Sequence, residues 1–127
     1  MEIRSLLGGS AAVCGDDLDL GAAARAMTGR GIGSLAVVRD GRLVGILTER
    51  DVLAAVAEDT VATDTVRDRM TPDPDWLTPE VEVGDAAAWM MAAGYRHLPV
   101  MEDGRLLGIV SIKDVLWAIT AGEEARP

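Results

Sequence analysis

The chain repeats itself. Residues 31–53, GIGSLAVVRDGRLVGILTERDVL, realign without a gap on residues 94–116, GYRHLPVMEDGRLLGIVSIKDVL, at an offset of 63. The register extends upstream, pairing LGAAARAMTGR (20–30) with VGDAAAWMMAA (83–93), and reaches Ile3-Arg4 against Val66-Arg67. From position 3 to 53, 17 of 51 aligned pairs are identical, among them Asp40/Asp103, Gly41/Gly104, Gly45/Gly108 and Asp51/Asp114. Self-similarity of this length means that one supersecondary unit is used twice. The fold is therefore limited to what one unit and its copy can build together.

Each copy reads the same way. Residues 34–39 and 42–47 are runs of β-branched and aliphatic residues separated by Asp40-Gly41, a two-residue loop favoured in type I′ hairpins, and Asp103-Gly104 repeats the arrangement. An Ala-rich helical stretch precedes each hairpin, over 21–29 and 84–93, and ends at Gly31 or Gly94, where a helix C-terminus prefers glycine. A second helix is expected after each hairpin, starting at Thr48 or Ser111. Asp75 to Thr78, with Trp76 and Leu77, reads as a short extended segment whose counterpart is Val13-Cys14. The unit is thus strand, helix, strand, strand, helix. We expect repeat 1 over residues 1–58, a polar connector DTVATDT over 59–65, repeat 2 over 66–121 and a frayed tail over 122–127.

Composition narrows the functional classes. At 127 residues, with about half of them apolar, the chain can bury a core without disulfides or a metal. Its one cysteine, Cys14, excludes an intramolecular disulfide and a cysteine-rich metal site, and an inert, buried thiol is the default. The net charge of −9 argues against nucleic-acid polymers and anionic membranes, which demand a positive footprint. No apolar run approaches a membrane span, and MEIRSLLGGS lacks the apolar core of a signal peptide, so a cytoplasmic, reduced protein is expected.

The ordered set of a TP segment, a G-h-x-x-L-P-V strand, a DGR hairpin and G-I-x-[ST]-x-x-D, occurring twice at fixed spacing, resembles the CBS domain family. The stretch MTPDPDWLTPEVEVGDAAAWMMAAGYRHLPVMEDGRLLGIVSIKDVL carries the resemblance in the second copy and residues 31–53 carry it in the first. It is similar to a stand-alone tandem pair, a Bateman module. The resemblance implies an α+β fold in which two β-α-β-β-α repeats pack sheet to sheet with pseudo-twofold symmetry and leave two clefts. It also implies a regulatory role and an adenosine-containing ligand, AMP, ADP, ATP or S-adenosylmethionine, with no cofactor required.

Thr48-Glu49-Arg50-Asp51 and Ser111-Ile112-Lys113-Asp114 stand where a strand turns into a helix. Two readings of this geometry remain open. A hydroxyl followed three residues later by an acid forms a capping box that satisfies unpaired helix N–H groups. A helix start also presents N–H donors to an anion, the hydroxyl can donate to a phosphate oxygen, and an ionised Asp, which only accepts, suits ribose hydroxyls. Arg50 and Lys113 would add a positive charge beside a phosphate.

The resemblance implies that each cleft is shared between copies. The preferred site joins Thr48, Arg50 and Asp51 with Thr71, Pro72, Tyr95, Arg96 and His97. The weaker one joins Ser111, Lys113 and Asp114 with Gly8, Gly9, Ile32, Gly33 and Ser34, because Gly8-Gly9 stand where the second copy has Thr71-Pro72, and Ala36 replaces Pro99. Nothing near His97 in the sequence suggests a triad or a metal motif, so no catalytic residue and no metal site are expected and the chain is not read as an enzyme.

AAAWMMAA (86–93) and VLWAITA (115–121) are apolar nearly all round, which requires burial on more than one face. A homodimer with Trp89, Met90 and Trp117 near the contact is expected, alongside an unidentified regulated protein. The alternative to ligand sensing is a ligand-free interaction or dimerisation scaffold in which the [ST]-x-x-D elements only cap helices.

Overall fold

The same short-range signals appear twice in the backbone. In a computed structural model that describes residues 1–8 and 11–124, the strand β1 (Val13–Gly15) is followed by helix α1 (Leu20–Arg30), the hairpin β2 (Ser34–Arg39) and β3 (Arg42–Thr48), and helix α2 (Glu49–Ala57). A four-residue helical turn α3 (Val66–Arg69) leads into the short strand β4 (Thr71–Pro72). Helix α4 (Val83–Ala93), strands β5 (His97–Glu102) and β6 (Arg105–Ser111) and helix α5 (Ile112–Glu124) complete the second copy. Helix α5 extends through 122–124, residues expected to be frayed. Residues 125–127 of that tail, and Gly9, lie outside the described residues.

Both hairpins turn as their sequences require. Asp40 and Gly41 have φ of 51° and 76°, and Asp103 and Gly104 repeat these values, the paired left-handed geometry of a type I′ turn. Gly31 and Gly94 end their helices at φ of 64° and 77°, each returning its N–H to the last turn. Both hairpins also carry the same bulge. Val37 opposes Gly45 while Val38 opposes Leu43, leaving Val44 extra, and Val100 and Met101 oppose Gly108 and Leu106, leaving Leu107 extra.

The chain divides into two compact units, which are not its consecutive halves. Ala12–Pro74 form one, and Met1–Ala11 with Asp75–Pro127 form the other. In the first, β1 lies parallel to β2 and β4 antiparallel to β3, giving the order β1-β2-β3-β4. In the second, the β5–β6 hairpin is joined by a parallel bridge from Leu77 to Val100, the counterpart of β1 beside β2.

Each unit is closed by a helical turn from the start of the other sequence copy. Val66 and Arg67 donate their N–H groups to the carbonyls of Leu18 and Asp16, both at 2.9 Å. Ile3 and Arg4, in the 3-10 turn Ile3–Leu6, donate to Val81 at 2.8 Å and Pro79 at 3.0 Å. These are the same four positions moved by 63 residues. Val66 and Ile3 are both fully buried, so the turns are part of the cores they close.

The cores follow the alternation of the strands and the helical period. Leu20, Ala23, Met27, Leu35, Val37, Leu47, Ala55 and Val66 fill one unit. Ile3, Leu77, Val83, Ala86, Ala87, Met90, Leu98, Val100, Val110, Val115 and Ala118 fill the other. Met90 is therefore a core residue, fully buried beneath α4, and its side chain is unavailable to a second subunit. The helix period separates it from Trp89, 39% exposed on the adjoining face. Trp117 is 69% exposed and Met91 66%. Among the described residues no helix is long and apolar enough to cross a membrane.

Candidate functional site

The two strand-to-helix turns carry most of the residues singled out in the sequence, and the hairpin register fixes their surroundings. Ser34 pairs with Thr48 across β2–β3, and His97 pairs with Ser111 across β5–β6. The first N–H of each following helix is bound by the carbonyl preceding the hairpin: Glu49 donates to Gly33 at 3.0 Å, and Ile112 donates to Arg96 at 2.8 Å. One of the donors that a helix start offers an anion is thus already occupied in each copy.

The turns differ in how the hydroxyl and the acid are used. At α2 a full capping box forms: the Thr48 N–H donates to Asp51 Oδ2 at 2.8 Å, the Thr48 hydroxyl lies 3.2 Å from the same oxygen, and the Thr48 side chain receives the N–H of Asp51. At α5 only half of this arrangement exists. The Asp114 N–H donates to Ser111 Oγ at 3.1 Å, while the exposed Asp114 carboxylate has no hydrogen-bond or ion-pair partner among the described residues. Arg50 and Lys113 are both exposed beside their aspartates.

The compact units sort the remaining candidates. Thr48, Arg50, Asp51, Ile32, Gly33, Ser34, Thr71 and Pro72 belong to one unit; Ser111, Lys113, Asp114, Tyr95, Arg96, His97 and Gly8 belong to the other. Within the first, Thr71 pairs with Ile46 and Pro72 with Gly45, two and three residues before Thr48, so the exposed β4 edge and the Thr48 turn adjoin on one sheet. Ser34 is 7% exposed, and Ile32 packs against the core, which leaves Gly33 half-buried between them. In the second unit Arg96 is exposed and His97 half-buried.

Tyr95 is already engaged. Its hydroxyl donates to Asp75 Oδ2, and that bond raises the phenol's pKa because it favours the protonated form. Its ring stands edge-on to Trp89, with centroids 5.6 Å apart and planes at 78°. Asp75 was not legible as a partner, since a separation of 20 positions along the chain carries no local signal of the contact.

Two charge clusters brace the closing turns. Asp16, 4% exposed, accepts from Arg67 Nε at 2.9 Å and from Arg39 Nη2. Hydrogen bonds from Arg67 and then Arg39 lower its carboxyl from an ordinary 3.8 to about 2. In the other unit Arg4 stands at the position equivalent to Arg67 and Glu102 at that of Arg39, and Arg4 Nη2 lies 3.0 Å from Glu102 and 4.0 Å from Glu80. A third cluster joins Arg69 to Asp64, Glu58 and Thr60. Among the described residues no group of three His, Cys, Asp or Glu could hold a metal ion.

This geometry is that of known proteins. The CBS domain model matches residues 9–58 and again residues 66–121. The chain belongs to the CBS domain family. A CBS-domain-containing protein from Agrobacterium tumefaciens superimposes with a TM-score of 0.87 at 33% identity, covering 94% of this chain and 99% of that one. The CBS domain pair of protein MJ0100, solved in complex with 5′-methylthioadenosine and S-adenosyl-L-methionine, shares the fold with a TM-score of 0.87 at 24% identity, covering 97% and 98% of the two chains. A 17.7 kDa uncharacterised protein of Acidianus ambivalens is 40% identical over 99 residues, 76% of this chain and 60% of its own length. The chain spans only 41% to 60% of the first curated relatives it matches. The two CBS copies are thus a tandem pair of α+β repeats.

Proposed function

We propose that this CBS pair is a regulatory module that binds a small adenosine-containing molecule, AMP, ADP, ATP or S-adenosylmethionine, through its two strand-to-helix turns. The observation that carries the reading is the Asp114 carboxylate, exposed beside Lys113 and without a hydrogen-bond or ion-pair partner among the described residues. An ionised carboxylate only accepts hydrogen bonds, so it suits the paired hydroxyls of a ribose, and the adjacent ammonium suits a phosphate or carboxylate on the same ligand. The likeness to the MJ0100 pair supports the ribose as the shared feature, since 5′-methylthioadenosine carries no phosphate. Thr48, Arg50 and Asp51, with Thr71 and Pro72 on the neighbouring strand edge, form the second set. Ligand occupancy changes the affinity for a regulated protein only to the extent that the ligand binds the two states unequally.

Titration calorimetry with AMP, ATP and S-adenosylmethionine tests this. Wild-type protein is expected to bind at least one, and Asp114→Ala and Asp51→Ala each to weaken binding by about tenfold, the worth of a charge-assisted hydrogen bond. Absence of binding by all three overturns the ligand class. A second reading, a ligand-free scaffold, is favoured by one observation: at α2 both Thr48 and Asp51 are spent on the capping box. Unchanged affinity in Asp51→Ala would assign that turn to capping alone.

A further inference from the structure

We infer that Arg69 is a positioning residue: its guanidinium locks the connector to the end of α2 and thereby holds strand β4, with Thr71 and Pro72, on the edge of its sheet. Three nitrogens of this one side chain are used in three directions. Nε donates to Asp64 Oδ2 at 2.7 Å, Nη1 to Glu58 Oε2 at 2.7 Å and Nη2 to Thr60 Oγ1 at 2.6 Å. The Thr60 hydroxyl in turn donates to Asp64 Oδ2 at 2.6 Å, which closes a ring of hydrogen bonds around the guanidinium. Arg69 and Asp64 are only 18% and 17% exposed, so salt and water screen this pair less than a surface ion pair.

The position of the lock gives it leverage. Glu58 is the C-cap of α2, the helix whose N-cap is Thr48, and Arg69 is the last residue of α3. The next residue, Met70, seats its thioether against Gly45, and Thr71 then pairs with Ile46. The Asp73 N–H continues the edge by donating to the carbonyl of Val44, the extra residue of the bulge, at 3.1 Å. Thr48 and Thr71 are therefore connected by two routes: through β3, and through α2, Glu58 and Arg69.

The repeat supplies an internal comparison. At the equivalents of Arg69, Asp64 and Glu58 the other unit has Leu6, Met1 and Ala121, which cannot form the lock.

The experiment replaces Arg69 by the residue of the other copy, Arg69→Leu, and follows amide hydrogen exchange by NMR. Exchange of the Asp73 amide is expected to accelerate by about tenfold or more relative to the Ala36 amide, which is bound to Ala12 at 2.9 Å and lies away from the lock. Equal acceleration at both amides means general destabilisation, and no change at Asp73 means that β4 holds itself; either overturns the inference. Asp64→Asn is read in the same way where Arg69→Leu does not fold. A second arm rests on the ligand reading above: with AMP as the probe, Arg69→Leu is expected to weaken binding severalfold at the Thr48 turn. Wild-type protein that does not bind AMP counts against that ligand and leaves the exchange test to decide the lock. Wild-type binding that Arg69→Leu leaves unchanged overturns positioning of the site.

Discussion

Met70 lies so close to Gly45 that a Cβ on the glycine would come within 2.5 Å of the thioether sulfur and 3.0 Å of the Thr71 carbonyl oxygen. Sixty-three residues away, Leu7 covers Gly108 in the same manner, its Cδ2 lying 3.0 Å from the position of such a Cβ. Both glycines stand at the bulge of a hairpin, and both are shared between the copies because another segment of chain must cross the strand there.

The two glycines are expected to differ in tolerance. Gly45→Ala meets backbone as well as a side chain and is expected to cost about 1–3 kcal/mol, the range for overpacking. Gly108→Ala meets only the flexible tip of Leu7 and is expected to cost less than about 1 kcal/mol. Urea denaturation of the two variants checks the order, and equal costs would contradict it.

Stability should depend on pH through Asp16. Its folded pKa is about 2 against an ordinary 3.8, so its contribution is present above the unfolded value and is lost as pH falls through the folded one. Asp64, lowered by the Thr60 hydroxyl and by Arg69, acts in the same sense. Unfolding free energies measured between pH 6 and pH 2 are expected to fall below about pH 4. Asp16→Asn is expected to be less stable at neutral pH and to show a shallower acid decline.

The capping difference predicts unequal effects of equivalent substitutions on the fold. Asp51→Ala removes the acceptor of the Thr48 N–H and is expected to cost about 1 kcal/mol. Asp114→Ala removes an exposed carboxylate that has no partner among the described residues and is expected to stay within about 0.5 kcal/mol of wild type. Thermal unfolding without ligand separates the two.

The surface of α4 and α5 carries Trp89, Met91, Leu116 and Trp117, all exposed. We propose that a second copy of the chain covers it. Trp117→Glu is then expected to turn a dimer into a monomer by light scattering at micromolar concentration. A wild-type monomer under those conditions counts against the assignment.

The elements were legible because their signals are local. The type I′ turns at Asp40-Gly41 and Asp103-Gly104, the glycine stops at Gly31 and Gly94 and the period-2 runs between them depend on neighbours a few residues apart. Even Leu77 was expected as an extended segment, and it bridges Val100. What escaped were contacts between residues far apart in the chain: Arg67 with Asp16, Arg4 with Glu102, Tyr95 with Asp75. Met90 and Trp89 show the limit within a single helix. Both are large and apolar, and only the direction in which α4 meets its sheet decides that Met90 is core and Trp89 is surface.

The sequence by itself determined that there are two copies of one α+β unit, where the two hairpins and the four longer helices lie, and that a hydroxyl and an acid stand three residues apart at each strand-to-helix turn. Tertiary structure alone decided which chain segment closes which unit. It also decided that the Asp51 carboxylate is bound into its own cap while the Asp114 carboxylate has no partner among the described residues, and that Arg69 ties the connector to the end of α2. The physical reason is one of range. Backbone dihedral preferences and hydrophobic period act over a few residues, whereas hydrogen-bond partners and burial depend on which distant surfaces the folded chain brings together.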